Sequence, residues 1–281
     1  MEFFKYEATG NDFIILDGTA GSCDLAPETA RHLCERHTGI GADGILVLLP
    51  SESADIRMRV INADGSEAGM CGNGVRALVL FAFDHGLIAG GMEEMREVSV
   101  ETASGVRTVA CLGEASGESR FRVDMGAPSL ARGAIPMEGP PAEEALRVPV
   151  TAAGGRELSG TCVSMGNPHC VFFVDDVARY PVSDVGPSVE NNTLFPARTN
   201  VEFVEVAGED RLVVRVWERG AGETQACGTG ACASLVAARL NGLAGPGATV
   251  SLPGGELEIE WHGNVFMTGP ARRVFSGWTV G

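Results

Sequence analysis

Eight cysteines punctuate this chain, and two of them share a setting that the other six lack. Cys71-Gly72-Asn73-Gly74 and Cys227-Gly228-Thr229-Gly230 each place a thiol just before an apolar run that reads as a helix. The first backbone N–H groups of a helix have no intrahelical partner and carry partial positive charge. A cysteine there is expected to ionise more readily than a free thiol, whose pKa is about 8.5. The same amides form a cradle for a carboxylate, and glycine lets that group come close. Two such elements facing one another would grip one carboxylate and flank the adjacent carbon with sulfur on both sides. That arrangement suits inversion of a stereocentre. One thiolate removes the α-proton, the opposite thiol delivers a proton to the other face, and the amides stabilise the carbanionic charge. Exclusion of water by closure over the substrate belongs to the same expectation. Cys23, Cys34, Cys111, Cys162, Cys170 and Cys232 have no such context and read as small core residues.

The elements that must carry these thiols repeat along the chain. Gly10-Asn11 returns as Gly166-Asn167, and Cys71 returns as Cys227, both at an offset of 156 residues (227 − 71). The same offset pairs Arg59 with Arg215, Val60 with Val216, Glu67 with Glu223, Ala77 with Ala233 and Ala82 with Ala238. Two related halves follow, each with one thiol. Phe13–Leu16 and Cys170–Val174 read as buried strands after a Gly-Asn. Ile56–Ile61 and Leu212–Trp217 alternate as half-buried strands do. The helices are predicted over Val75–His85 and Ala231–Leu240, with Gly86 and Gly242 as stops. Gly113–Ser119 is read as the join between halves, and Arg132–Pro149 as a surface loop. Val274-Phe275 and Trp278-Thr279-Val280 are expected to return to the first half. The boundaries drawn are 1–118 plus 272–281 for the half with Cys71, and 119–271 for the half with Cys227.

Bulk properties narrow the function classes. The 281 residues carry 21 Lys+Arg against 37 Asp+Glu, a formal charge of −16, which disfavours nucleic acid and anionic membrane surfaces. The apolar run Ala77–Phe83 stops at Asp84, far short of a membrane span, and no targeting segment is recognisable at Met1–Glu7. The chain reads as soluble and cytoplasmic, with reduced thiols. No Cys-x-x-Cys pair occurs and the five histidines are scattered, so no metal site is expected. Lys5 is the only lysine, at the very start of the chain, which argues against a pyridoxal-phosphate Schiff base. No cofactor is expected.

Longer blocks surround the thiols. Asn62-Ala63-Asp64-Gly65-Ser66-Glu67 leads into the first cysteine motif, and Glu218-Arg219-Gly220-Ala221-Gly222-Glu223-Thr224 into the second. With Gly10-Asn11-Asp12-Phe13 and Met165-Gly166-Asn167-Pro168-His169, these closely resemble the signatures of the diaminopimelate epimerase family, and the likeness runs from Lys5 to Gly269. The resemblance implies an α+β fold of two pseudo-symmetric domains, each a curved, largely antiparallel sheet wrapped around a central helix. It implies an active site between the domains that interconverts LL- and meso-diaminopimelate for lysine and peptidoglycan synthesis. It implies no cofactor or metal, and a homodimer. Cys71 and Cys227 would be the acid/base thiols, tuned by His169 and Glu218. Gly72, Asn73, Gly228 and Thr229 would hold the reacting carboxylate. Asn11, Asn62, Asn167, Asn200, Glu218 and Arg219 would hold the rest of the substrate, Arg219 by a bidentate grip on the distal carboxylate. Gly44 stands where some members carry glutamine, which removes one side-chain contact.

Three other readings compete. Proline racemases and hydroxyproline epimerases also use two cysteines, but Asn73 stands where they have histidine, and a substrate with one carboxylate has no use for Arg219. A dithiol redox protein would exploit a disulfide between Cys71 and Cys227; here that disulfide is expected to inactivate the enzyme, which reduction would restore. A non-catalytic amino-acid-binding protein would keep Asn62 and Arg219 without needing both thiols.

Overall fold

The structure is a computed structural model that describes residues 1–279 except 22, 91, 93, 94 and 116. The chain divides into two compact units, Met1–Asp124 with Thr268–Gly281, and Met125–Met267.

In the first unit the order is β1 (Glu2–Ala8), β2 (Asn11–Asp17), α1 (Pro27–Cys34), β3 (Gly44–Leu49), β4 (Ile56–Asn62), β5 (Glu67–Ala68), α2 (Gly72–Asp84), β6 (Glu97–Thr102), β7 (Gly105–Ala115) and β8 (Glu118–Gly126), the last of which runs on across the unit boundary. β1–β2, β3–β4, β4–β5, β6–β7 and β7–β8 pair antiparallel, and β2–β3 and β4–β6 pair parallel. The second unit has β9 (Val148–Ala152), β10 (Arg156–Ser164), β11 (Pro168–Phe173), α3 (Val182–Glu190), β12 (Asn200–Gly208), β13 (Arg211–Glu218), β14 (Gly222–Thr224), α4 (Gly228–Leu240), β15 (Gly247–Leu252) and β16 (Gly255–His262). In it β11 with β12 and β13 with β15 are parallel, and β9–β10, β10–β11, β12–β13, β13–β14 and β15–β16 are antiparallel. The final strand, β17 (Asn264–Trp278), carries the chain back into the first unit, where it pairs with β1 from Glu2↔Trp278 to Glu7↔Arg272. Val274 falls at the bulge of that pairing, and Val280 lies outside the described residues.

The repeat is built in three dimensions. Phe13 opposes Gly44 and Leu46 opposes Val60; their counterparts His169 and Asn200, and Glu202 and Val216, make the same pairs. Arg59 reaches Glu67 at 2.6 Å, and Arg215 reaches Glu223 at 2.7 Å. Side chains alternate across a strand, so each sheet has two apolar faces. Ile14, Ile45 and Ile61 pack with Ala30 and Leu33 of α1, and Phe172, Val201 and Phe203 pack with Val182, Val185 and Val189 of α3. The opposite faces wrap α2 and α4. α2 touches β1, β2, β3, β4 and β7, and α4 touches β10, β11, β12, β13, β15 and β16. Helices so enclosed must be apolar all round, and Gly72–Ala82 is buried without interruption.

Both helices begin three residues earlier than the apolar runs indicate, at Gly72 and Gly228, which puts Cys71 and Cys227 at the N-caps themselves. Gly86 and Gly242 follow the C-caps at φ 63° and 72°, a conformation that favours glycine. Two expectations fail. Gly113–Ser119 is not a join between units: it is the hairpin end of β7 and β8, closed by Ala115↔Glu118, with position 116 outside the described residues. Arg132–Pro149 is not simply a surface loop. It contains a short 3-10 turn at Arg132–Ala134 and the start of β9, and it buries Ile135, Met137, Ala145 and Val148 in the core beneath α3. Its Pro and Gly residues masked four anchoring apolar positions. Among the described residues, no helix is long and apolar enough to cross a membrane.

Candidate active site

Each cysteine motif folds in the same way within its own unit. Cys71 has extended backbone (φ −135°, ψ 113°), and its sulfur accepts the Gly74 N–H at 3.3 Å. Cys227 repeats this (φ −121°, ψ 109°), accepting the Gly230 N–H at 3.4 Å. A sulfur thus does what Ser or Asp usually does at an N-cap, and it stands against the positive end of an apolar helix. Gly72 and Gly228 are buried in those first turns.

Around Cys71 the polar side chains form a directed chain. Arg76, wholly buried in α2, donates to Thr9 Oγ1 (2.8 Å), to the Pro270 carbonyl (3.2 Å) and to Asn73 Oδ1 (3.1 Å). Asn73 Nδ2 then donates to Asn11 Oδ1 at 2.5 Å, and Asn11 Nδ2 donates to Asp43 at 3.1 Å. A donor-only guanidinium at one end and an acceptor-only carboxylate at the other leave each amide one orientation. Asp43 is held by Arg36, which also grips Asp12 through both carboxylate oxygens (2.7 and 3.0 Å). Lys5 is buried against Asp12 at 2.6 Å and donates to the Gly41 carbonyl. Burial works against the charge on Asp12, but the hydrogen bonds from Arg36 and Lys5 outweigh it and hold the carboxyl at about 2. Asn62 stands apart from this chain: its amide bonds Ser66 at 3.0 Å and closes the turn between β4 and β5. At Gly44, a Cβ would lie 3.0 Å from the Ile61 carbonyl.

A second chain runs to Cys227. Glu202 Oε1 lies 2.7 Å from His169 Nδ1, and both residues are fully buried. His169 Nε2 meets Asn167 Oδ1 at 3.0 Å, Asn167 Nδ2 meets Thr229 Oγ1 at 3.2 Å, and Thr229 Oγ1 lies 3.4 Å from the Cys227 sulfur. Glu218 hydrogen bonds the Cys227 thiol and accepts from Thr224 at 2.5 Å. Burial raises the Glu218 carboxyl against the pull of those two hydrogen bonds.

The expected lowering of the thiol pKa does not hold at Cys227. Burial, followed by the carboxylates of Glu218 and Glu202, pushes this thiol well up; the Thr229 and Gly230 hydrogen bonds oppose the rise and lose. A helix terminus acts only over its first turn, whereas loss of water and two nearby negative charges act together. Burial and the two carboxylates thus favour the neutral thiol at Cys227. Asn200 is occupied too: it donates to the Pro168 carbonyl at 2.7 Å and accepts the Arg219 backbone N–H at 2.9 Å. Arg219 is exposed, with one guanidinium nitrogen on the Ala197 carbonyl at 3.1 Å. Of the other six cysteines, five are buried as expected and Cys23 is only partly so.

Sequence reasoning passed over Arg36, Asp43 and Glu202 and read no role into Arg76. Two signals were available: an arginine inside an apolar helix, and an acid at 202 where the repeat has Leu46. Among the described residues, no cluster of three or more His, Cys, Asp or Glu side chains could hold a metal ion.

Comparison with known proteins gives the family. The family model described as diaminopimelate epimerase matches residues 3–131 and 161–274. A diaminopimelate epimerase of Moorella thermoacetica is 49% identical over 285 residues, covering 99% of this chain and 98% of its own length. One of Elusimicrobium minutum is 48% identical over 282 residues, covering 99% and 98%. Among solved structures, a probable proline racemase of Agrobacterium radiobacter aligns with a TM-score of 0.74 at 14% identity, over 99% of this chain and 92% of its own. A hydroxyproline epimerase of Agrobacterium vitis aligns with a TM-score of 0.74 at 13% identity, over 99% and 91%. At such identities these two share the fold alone. The two N-capping thiols, the repeated architecture and the full-length matches together establish that this chain belongs to the diaminopimelate epimerase family.

Proposed function

We propose that this protein interconverts LL- and meso-diaminopimelate by two-thiol proton transfer at the α-carbon, as a step in lysine and peptidoglycan precursor synthesis. The observation that carries the reading is the pair of N-capping cysteines, each accepting its own helix's third amide, in a chain of this family. In one direction Cys71 acts as the base while Cys227, whose surroundings favour the neutral thiol, delivers the proton. In the other direction the roles exchange. The bond from the α-carbon to hydrogen breaks, its electron pair is held as a carbanion conjugated with the carboxylate, and a new bond to hydrogen forms on the opposite face. The amides of Gly72, Asn73, Gly228 and Thr229 hold that carboxylate and its growing charge. Asn11, Asn62, Asn167 and Glu218 hold the ammonium and the remainder of the substrate, and Arg219 takes the distal carboxylate, with Asn200 bracing its backbone. His169 and Glu218 tune Cys227.

No cofactor enters this scheme. Lys5, the only lysine, is committed to Asp12 and the Gly41 carbonyl, which supports a reaction without a Schiff base. No metal, nucleic acid or membrane is required. The protein is proposed to work in the cytoplasm as a homodimer; a single-chain mass at micromolar concentration in sedimentation equilibrium would overturn the dimer.

The test is incubation of the reduced protein with pure LL-diaminopimelate in D₂O, without pyridoxal phosphate. Appearance of the meso isomer with deuterium at the inverted carbon is the expected result. Folded protein with both thiols free that yields neither exchange nor meso product would sink the assignment.

A further inference from the structure

The two thiols stand in matched backbone settings above unmatched strands. Within the first unit, the α2-facing positions of β2 and β3 are Phe13 and Leu46, both buried and apolar. A Cβ added to Gly74, at the start of α2, would meet Leu46 Cδ2 at 3.1 Å. The repeat places His169 and Glu202 at the equivalent positions of β11 and β12. A Cβ on Gly230 would lie 2.8 Å from Glu202 Oε1, so the carboxylate occupies space that only glycine leaves free. Glu202 has zero exposure, and its Oε2 is buried without a hydrogen-bond partner. A carboxylate so placed is costly. The same fold does without one beneath Cys71, so packing does not account for it.

We propose that Glu202 is a positioning residue for Cys227, acting through the chain His169–Asn167–Thr229. By accepting from Nδ1, it fixes the proton on that nitrogen and turns Nε2 towards Asn167. With a proton on Nε2 as well, Asn167 Oδ1 accepts from the ring, Asn167 Nδ2 donates to Thr229, and the Thr229 hydroxyl is free to donate to sulfur. With Nε2 bare, the Asn167 amide turns over, and Thr229 donates to it and accepts from the thiol instead. The direction of the chain thus follows the state of His169 and matches the two states that Cys227 must visit. In the first unit Asn73, the counterpart of Thr229, is pinned by Arg76 in one orientation. This inference rests on the reading of Cys227 as an acid/base thiol, but its test needs no substrate.

The experiment follows the pH dependence of iodoacetamide alkylation of Cys71 and Cys227 by peptide mass spectrometry. It uses the full chain and Glu202→Gln, each alone and combined with Thr229→Val, which cuts the chain. The titratable groups that face Cys227 are Glu218, Glu202 and His169. Expected is a shift in the Cys227 midpoint of about half a unit or more in Glu202→Gln, no shift at Cys71, and a much smaller shift when Thr229 is already valine. An unmoved Cys227 midpoint, an equal move at both cysteines, or the same shift in both Thr229 backgrounds would overturn the proposal. Cys162, Cys170 and Cys232, all buried, report by their protection that the unit stays folded. Should Glu202→Gln not fold, ¹⁵N spectra of the unaltered protein decide: a protonated Nδ1 at His169 is expected, and a bare Nδ1 rules it out.

Discussion

Asp12 shows how much one partly buried carboxylate can contribute to the ground on which a site is built. Its folded value of about 2 lies below the ordinary 3.8. Such a group stabilises the fold fully above its unfolded pKa, and the contribution is lost as pH falls through the folded value. The difference amounts to about 2 kcal/mol. Urea unfolding of Asp12→Asn is therefore expected to fall short of the parent protein by a constant amount from pH 7 to 5, with the gap closing between pH 4 and 2. A gap as wide at pH 2.5 as at pH 7 would mean that Arg36 and Lys5 do not hold the charge. Cys227 is the opposite case. There burial and two carboxylates favour the neutral form, which suits a proton donor in the free protein and leaves the helix amides to stabilise charge on the substrate.

Glycine at the third helical position is what joins strand to helix in each unit. Gly74 packs against Leu46, whose flexible end can yield; Gly230 packs against the Glu202 carboxylate, held in place by His169. Gly230→Ala is thus expected to destabilise the second unit by about 1–3 kcal/mol and to slow turnover, whereas Gly74→Ala should cost less stability. Thermal unfolding of the two variants checks the order, and equal losses would contradict the asymmetry. The helices themselves owe little to propensity. α4 is rich in Gly, Ala and Ser, and these small side chains let six strands approach it.

In the molecule as a whole, the chain enters the first unit twice. Residues 268–279 complete its sheet through β17, which covers β1 along six paired positions. Buried Phe3, Phe4 and Tyr6 lie on the strand so covered. Ending the chain at Met267 would leave β1 without its outer partner, although the deleted residues include none of the proposed catalytic groups. We expect such a chain to lose activity and to exchange its β1 amides rapidly, with α4 still protected. Retained activity with slow exchange along β1 would show that β17 is dispensable.

Much of this was legible in the amino-acid order. The 156-residue repeat, the two thiols at helix starts, the strands before them and the glycine stops are local patterns, set by periodicity and backbone preference. The family signatures extended that reading to His169, Glu218 and Arg219. Other features were decided only by tertiary structure. Whether the Arg132–Pro149 segment was buried depended on α3, more than thirty residues along the chain. The orientation of Asn11 and Asn73 depended on Arg76 at one end and Asp43 at the other. The state of Cys227 depended on carboxylates from two different strands and on the exclusion of water. A local pattern fixes which groups a short segment can offer. Charge and hydrogen-bond direction depend on everything that surrounds a group, and distant parts of the chain supply those surroundings.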